Sequence, residues 1–518
     1  MFWREKCCIL FHKMNKAYNG NGNGVGGIQA PVPSVRKATT PVKMADATNG
    51  SRVSFSTAEG VKLGGTPTHF TRQTATCEIH GGAATLRASE VLTDFQIQIQ
   101  GRTIYSGRAV VSNLVDGGAS MICEVTLDEK HWTRASFPSA QQADHEGGVL
   151  GKEFKDFLAG WQDFYKISPQ YKLALVDMQT YFSDLKLWVD QLEMNILSAP
   201  SAERPALERA IITEIGRFAF PAFAALFEKF EVAAKGVDKS LLAIHQAMVK
   251  RMLHPLLLCS PFMHRIYFKP LGYAGDYEMV NMILRDPHEG DSLFAKLLNV
   301  FILSQVPGEA HRNRVAYLVQ RLVEETNRLA SKGGICRIYN LGCGPAGEVQ
   351  YFLTHHNLSK QARFTLLDAD DETLRNTGKL LENIKAKHQR STPIKLIKKS
   401  VYQLLKPGDK KKSPGEEYDF IYSAGLFDYL SDQVGQTIIE LTYDLLAPGG
   451  LLLITNVDPV NPIRNIMEHI YDWHLIYRDG QHLATLASEL PTGATISIKA
   501  EITSANVILE IRKPPLKP

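Results

Sequence analysis

The sequence predicts an α/β chain: a doubly wound sheet at the C-terminus, preceded by a helical region and a small antiparallel β-barrel. Three observations carry this. Residues 338–341 read as a short buried strand, followed by Gly342, Gly344 and Gly347 and then by helically spaced apolar residues from Val349. The next strand, 364–368, ends in Asp368, about 20 residues beyond the last glycine, as in a strand–turn–helix–strand unit. The final alternating runs, 495–500 and 506–511, are joined by a short turn and form an antiparallel hairpin rather than a further crossover.

In chain order, residues 1–50 are rich in Gly, Asn, Pro and Thr, have few apolar anchors, and are expected to be disordered. Residues 1–11 carry a short apolar patch without a cleavage pattern and read as an upstream extension, with Met14 a candidate start. Residues 51–148 are strand-like. Runs 75–79, 95–100, 102–105, 108–112 and 119–127 alternate at period two, with turns expected at Gln100-Gly101, Ser106-Gly107 and Asp116-Gly117-Gly118. Short antiparallel strands at this spacing predict a small barrel.

Residues 149–330 are helical. An amphipathic pattern opens between Phe154 and Trp161, and further stripes run over 171–197, 203–234, 239–258 and 312–329; these are read as core. Segment 268–277 interrupts them, because Pro270, Gly272 and Gly275 break a helix and Asp276 suits the N-cap of the next one. It places Lys269, Tyr273, Asp276 and Tyr277 on an irregular surface loop, read as part of a lid over the C-terminal ligand site. Residues 331–518 add strands at 394–397, 418–423 and 450–455, the last preceded by the turn Ala447-Pro448-Gly449-Gly450.

At 518 residues the chain has room for two to four domains, and 44% hydrophobic with 22% charged residues is ordinary for a soluble protein. A net charge of +4 with no concentrated basic face implies no nucleic-acid partner, and Lys410, Lys411 and Lys412 read as a solvated loop. Seven cysteines without a repeated spacing read as reduced, cytoplasmic thiols, and Cys343 is read as small rather than nucleophilic. No stretch is expected to reach the roughly 20 apolar residues of a membrane span. His469 and His474, placed on one helix running to Arg478, would point about 140° apart, so no shared metal is expected. Arg478 has the planar fork suited to a carboxylate.

The glycine turn brings bare backbone N–H groups close to a ligand, and Asp368 is placed to accept hydrogen bonds from both ribose hydroxyls of a nucleoside. Dinucleotide dehydrogenases and S-adenosylmethionine (AdoMet) methyltransferases share this logic. The terminal hairpin and the Ala447-Pro448-Gly449-Gly450 turn make the sheet similar to the seven-stranded class I methyltransferase (Rossmann-like) fold. That resemblance implies AdoMet as cofactor. It implies that Gly342, Gly344 and Gly347 line the methionine end and Asp368 the ribose. Ala369, Asp370, Ser400 and Val401 would lie beside the adenine, with Ser423, Ala424 and Gly425 opposite the sulfonium. Asn340 stands where the family usually has an acid; its side-chain oxygen can accept from the methionine amino group but brings no charge.

Residues 51–148 resemble a PilZ-type barrel, without the arginine-rich motif that grips cyclic di-GMP in such barrels; only Arg72 stands near the place. A docking or structural role is expected instead. Residues 418–429, 461–478 and 269–277, with Ser89-Glu90-Val91-Leu92 and 105–114, resemble the methyltransferases of 3-hydroxypalmitic acid methyl ester biosynthesis. A similar lid-bearing architecture occurs in methyltransferase modules of polyketide assembly lines. The resemblance implies O-methylation of a fatty-acyl carboxylate, with Tyr277, Asp428, Tyr429 and Arg478 positioning the small-molecule substrate. A carboxylate is already anionic at pH 7 and needs no general base; an alcohol, phenol or amine would call on Asp428 or His469. Methylation of a carrier-bound acyl group and a non-catalytic AdoMet-binding scaffold remain open alternatives, as does the oligomeric state.

Overall fold

The computed structural model describes residues 51–71, 73–79, 86–99, 102–116, 121–132, 158, 166–405 and 417–516. The expectations for residues 1–50, Arg72, Lys410 to Lys412 and the opening of the helical region at Phe154 and Trp161 lie outside the described residues. Barrel, helices and sheet belong to one unit, Ala47–Pro518.

Six antiparallel strands close the barrel: β1 (Ser51–Ser56), β2 (Lys62–Phe70), β3 (Thr74–Ile79), β4 (Val91–Ile99), β5 (Arg102–Asp116) and β6 (Met121–Leu127), in the order β1-β2-β3-β6-β5-β4. Period-two alternation turns Val53, Phe55, Ala75, Phe95, Ile97 and Val125 inward. One expectation is corrected here. Ser106-Gly107 is not a turn but the middle of β5, paired with Gln96 and Phe95. A Cβ at Gly107 would collide with the His131 ring, so this glycine serves close packing.

Among the described residues the helices that follow are α1 (Pro169–Leu197), α2 (Arg204–Lys235), α3 (Leu242–Leu257), α4 (Pro261–Phe268), α5 (Tyr277–Leu284), α6 (Leu293–Leu303) and α7 (Val306–Ala330). Phe182, Phe223, Phe227 and Phe301 form an aromatic core among α1, α2 and α6. Helix α2 is, by length and composition alone, long and apolar enough to cross a membrane, which corrects the expectation that no such stretch exists. Its buried stripe, including Ile212, Phe223 and Phe227, packs in the helical core.

The C-terminal sheet comprises β7 (Cys336–Leu341), β8 (Ala362–Asp368), β9 (Ile394–Lys398), β10 (Tyr418–Ala424), β11 (Leu446–Val457), β12 (Thr495–Ala500) and β13 (Asn506–Arg512). Its order is β12-β13-β11-β10-β7-β8-β9, parallel except for β13, which runs antiparallel to both neighbours. The intervening helices are α8 (Gly347–His355), α9 (Asp371–His388), α10 (Val401–Leu405), α11 (Asp432–Asp444), α12 (Arg464–Tyr471) and α13 (Gly480–Thr485). From β7 the chain winds outward through β8 and β9, then returns to β10 on the other side. The topological switch point therefore lies at the C-terminal ends of β7 and β10, where such sheets hold their ligands.

Candidate functional site

A cavity opens at this switch point. Gly342, Gly344 and Gly347 form its floor; Gly342 and Gly344 take positive φ of 72° and 50°, and above Gly344 a Cβ would meet nothing within 4 Å. The loop is tied back by Gly342 N and Cys343 N, which both donate to Leu367 O at 3.0 and 2.8 Å. Asp368 Oδ2 accepts from Gly344 N at 3.0 Å and Oδ1 from Asp370 N at 3.1 Å. A carboxylate has about four acceptor sites, so capacity for two further donors remains. Burial pushes the Asp368 carboxyl above its usual range, opposed by these two amides.

Asn340 ends β7 in the same wall. Its Nδ2 donates to Glu348 Oε1 at 3.1 Å, while its Oδ1 is a buried acceptor without a hydrogen-bond partner. Ala369 and Val401 line the cavity, as does Gly425 at the exit of β10. Three expected positions do not line it. Asp370 caps α9 through Thr373 N at 2.6 Å, Ser400 caps α10 through Gln403 N at 3.3 Å, and Ser423 donates to Leu341 O at 2.9 Å.

Of the expected substrate residues, Asp428 and Tyr429 line the cavity and Tyr277 and Arg478 do not. Asp428 Oδ1 accepts from Val457 N at 2.7 Å, and burial pushes its carboxyl up to about 6 against the pull of Arg314. Tyr429 Oη accepts from Trp473 Nε1 at 3.0 Å, and a Cβ on lid residue Gly275 would stand 2.5 Å from that oxygen. Tyr277 instead donates to Glu372 at 2.9 Å outside the cavity. Arg478 is wholly buried, and its donors are taken by Phe427 O, Leu430 O, Asn456 Oδ1 and Asp432. Its fork holds the β10 exit loop together and lies outside the cavity lining.

The single helix expected through Arg478 ends at Tyr471, where Asp472 takes φ of 50°, so His469 and His474 share no helix. Neither lines the cavity. His469 Nδ1 lies 2.9 Å from Tyr171 Oη in the helical core, and burial lowers its pKa to about 3.

The lid segment is not an exposed loop throughout. Lys269 and Asp276 are 2% and 1% exposed. Asp276 caps α5 through Met279 N at 2.8 Å and pairs with Arg265. Tyr273 and Gly275 face the cavity. The barrel packs against the segment: Val91 N donates to Gly272 O at 2.6 Å, and Ser89 Oγ meets Asp472 O and His474 O at 3.2 and 2.9 Å. Arg87, from the same barrel connection, reaches the cavity itself. Sequence reasoning missed Arg87, Glu348, His311 and Arg314; for the last pair the available signal was an i, i+3 spacing that puts both on one face of α7.

No family model and no curated protein matches this chain. Solved structures do. A "possible exported protein" from Bordetella parapertussis is 16% identical with a TM-score of 0.38, covering 61% of this chain and 99% of that one. Magnesium protoporphyrin IX methyltransferase from Synechocystis PCC 6803 with bound SAH is 14% identical with a TM-score of 0.34, covering 48% and 98%. The CurJ carbon methyltransferase is 13% identical with a TM-score of 0.32, covering 60% and 71%. The assignment of fold rests on the strand order and the antiparallel β13. The fold is that of the class I methyltransferases. Asn340, Asp368, Gly425 and Asp428, from the exits of β7, β8 and β10, stand together in this cavity.

Proposed function

We propose that this chain is an AdoMet-dependent methyltransferase acting on an acyl metabolite. The observation that carries the reading is the pairing of Asn340 Oδ1, a buried acceptor without a partner, with Asp368, whose carboxylate has acceptor capacity to spare, on either side of an open glycine cradle. Asn340 would take an ammonium N–H and Asp368 two ribose hydroxyls, so the residues present fit this cofactor. AdoMet, when bound, supplies a methyl group on a sulfonium that a nucleophile displaces in line. The chain's part is to hold the acceptor near that carbon and to exclude water.

The rest of the cavity wall supports an acyl acceptor. Phe262, Ile266, Met279, Ile283 and Ile302 from the helical region, with Met467 of α12, give it an apolar side. The carboxylate at the end of a free acyl chain needs orientation but no base. A second reading, transfer to a hydroxyl, is favoured by Asp428: a buried carboxylate with a pKa raised to about 6, beside the β10 exit, suits a general base.

Isothermal titration with AdoMet on the wild type and Asp368→Ala tests the cofactor. Two hydrogen bonds to a charged group are lost, so affinity is expected to fall at least about tenfold. Equal affinity in the two proteins would remove the reading. Labelled AdoMet with a panel of free hydroxy fatty acids then tests the acceptor, esters being scored by base-labile methanol.

A further inference from the structure

Arg314 rises from α7 to stand beneath the β10 exit, where a Cβ on Gly425 would lie 3.2 Å from Nη2 and 3.3 Å from Nη1. It lines the cavity yet is only 7% exposed. Both its hydrogen-bond partners are neutral: Nη2 meets His311 Nδ1 at 2.9 Å, and Nη1 donates to Asn506 Oδ1 at 3.4 Å. Asp428, Glu348 and Glu501 act on it only through space, and it forms no ion pair among the described residues. Buried guanidinium groups are ordinarily matched by a carboxylate, because an uncompensated charge in the interior costs several kcal/mol.

His311 completes the arrangement. Burial and the charges of Arg314 and Arg312 hold its ring far below the usual histidine range, so it is neutral. With Nδ1 accepting from Arg314, the ring proton sits on Nε2, which has no partner among the described residues. His311 also lines the cavity. A guanidinium and an imidazole N–H therefore stand side by side at the end of an apolar wall.

We propose that Arg314 and His311 form a carboxylate-binding site at the methyl-transfer end of the cavity. The carboxylate has two sources under the function proposed above, on which this inference rests: the methionine moiety of the donor, or the acyl acceptor. Arg478, the arginine whose fork the sequence offered for this task, has its donors engaged elsewhere.

The test is a set of titrations on the wild type, Arg314→Leu, Arg314→Lys and His311→Gln. The ligands are AdoMet, 5′-methylthioadenosine (which lacks the carboxylate) and a long-chain fatty acid. Methylthioadenosine is expected to bind all variants alike. Loss of about tenfold or more for AdoMet in Arg314→Leu assigns the site to the donor, and the same loss for the fatty acid assigns it to the acceptor. Arg314→Lys is expected to recover part of the loss, since it restores charge without the planar fork. Unchanged affinity for both carboxylates in Arg314→Leu overturns the proposal. Should that variant not fold, unchanged affinity for both in Arg314→Lys and His311→Gln overturns it equally. A wild type that does not bind methylthioadenosine or AdoMet would instead end the proposed function, and the fatty-acid titration alone would then judge the anion site.

Discussion

The side-chain amide of Asn340 donates to Glu348 Oε1 across 3.1 Å, and Tyr422 Oη donates to the same oxygen at 2.7 Å. A neutral residue at the tip of β7 therefore has a carboxylate directly behind it, in the first turn of α8. Burial raises the Glu348 carboxyl while the Tyr422 hydroxyl lowers it. The bond from Nδ2 to Glu348 leaves Asn340 Oδ1 as the acceptor without a partner. The acid missing at the strand tip thus stands directly behind it, at Glu348.

Glu348→Gln is expected to weaken AdoMet about tenfold while leaving 5′-methylthioadenosine unaffected, because only the former carries the ammonium group that Asn340 would meet. Titration of both ligands at pH 7.5 measures this. Equal losses for the two would mean that Glu348 only stabilises the loop.

Asp428 makes a prediction in pH. Its folded pKa of about 6 lies above the ordinary 3.8, so the folded chain holds its proton more tightly than the unfolded one. Its contribution to stability is fully present below about pH 3.8 and is lost as pH rises through about 6. Asp428→Asn keeps the shape without the buried charge, so its melting temperature should gain on the wild type as pH rises from about 3.8 to about 6 and hold that gain above. Turnover separates the acceptors: a carboxylate acceptor leaves kcat within a fewfold, and a hydroxyl acceptor costs about 100-fold or more.

The parts of the fold written in local sequence were legible. Strand alternation, the glycine turn, the acid at the tip of β8 and the terminal hairpin all depend on neighbours close in the chain. Ser106-Gly107 was misread because a glycine packed against a side chain has the same local signature as a turn. The site was legible where backbone geometry makes it, at Gly342, Gly344, Gly347 and Asp368. It was not legible where distant elements meet. Arg314 sits in an amphipathic stripe that reads as core, and only the folded chain sets it under Gly425. Arg478 and Arg314 are both buried arginines; only the folded chain shows which one has carbonyls to cap.

The segment after α12 holds an ion pair with a measurable consequence. Lys250 Nζ lies 2.6 and 2.7 Å from the two oxygens of Asp472, which is 4% exposed. Despite burial, Lys250 and Lys269 hold that carboxyl down to about 2. The pair's contribution is therefore complete above the ordinary value of 3.8 and lost as pH falls through about 2. Lys250→Met leaves a buried carboxylate short of its nearest cation and should cost about 3 kcal/mol at pH 7. Calorimetry should show the deficit shrinking toward pH 2.5; a deficit independent of pH would mean that packing, not charge, is lost.

The barrel's contact with the same segment leads to the last prediction. Ser89 takes φ of 61°, and its hydroxyl bridges the turn after α12, donating toward His474 O at 2.9 Å and accepting from His474 N. Two residues earlier, Arg87 enters the cavity and pairs with Glu59. The barrel thus reaches the ligand site through one short connection anchored at Ser89. Ser89→Ala removes the anchor and leaves a buried amide of His474 without its partner, a cost of about 1–3 kcal/mol. If the anchor sets Arg87 in place, AdoMet affinity should fall severalfold in Ser89→Ala. Arg87→Ala should then produce the same loss, and the double variant no more than either alone. Additive losses, read by titration of all three proteins, would show that Ser89 and Arg87 act separately and that the barrel is a support rather than part of the site.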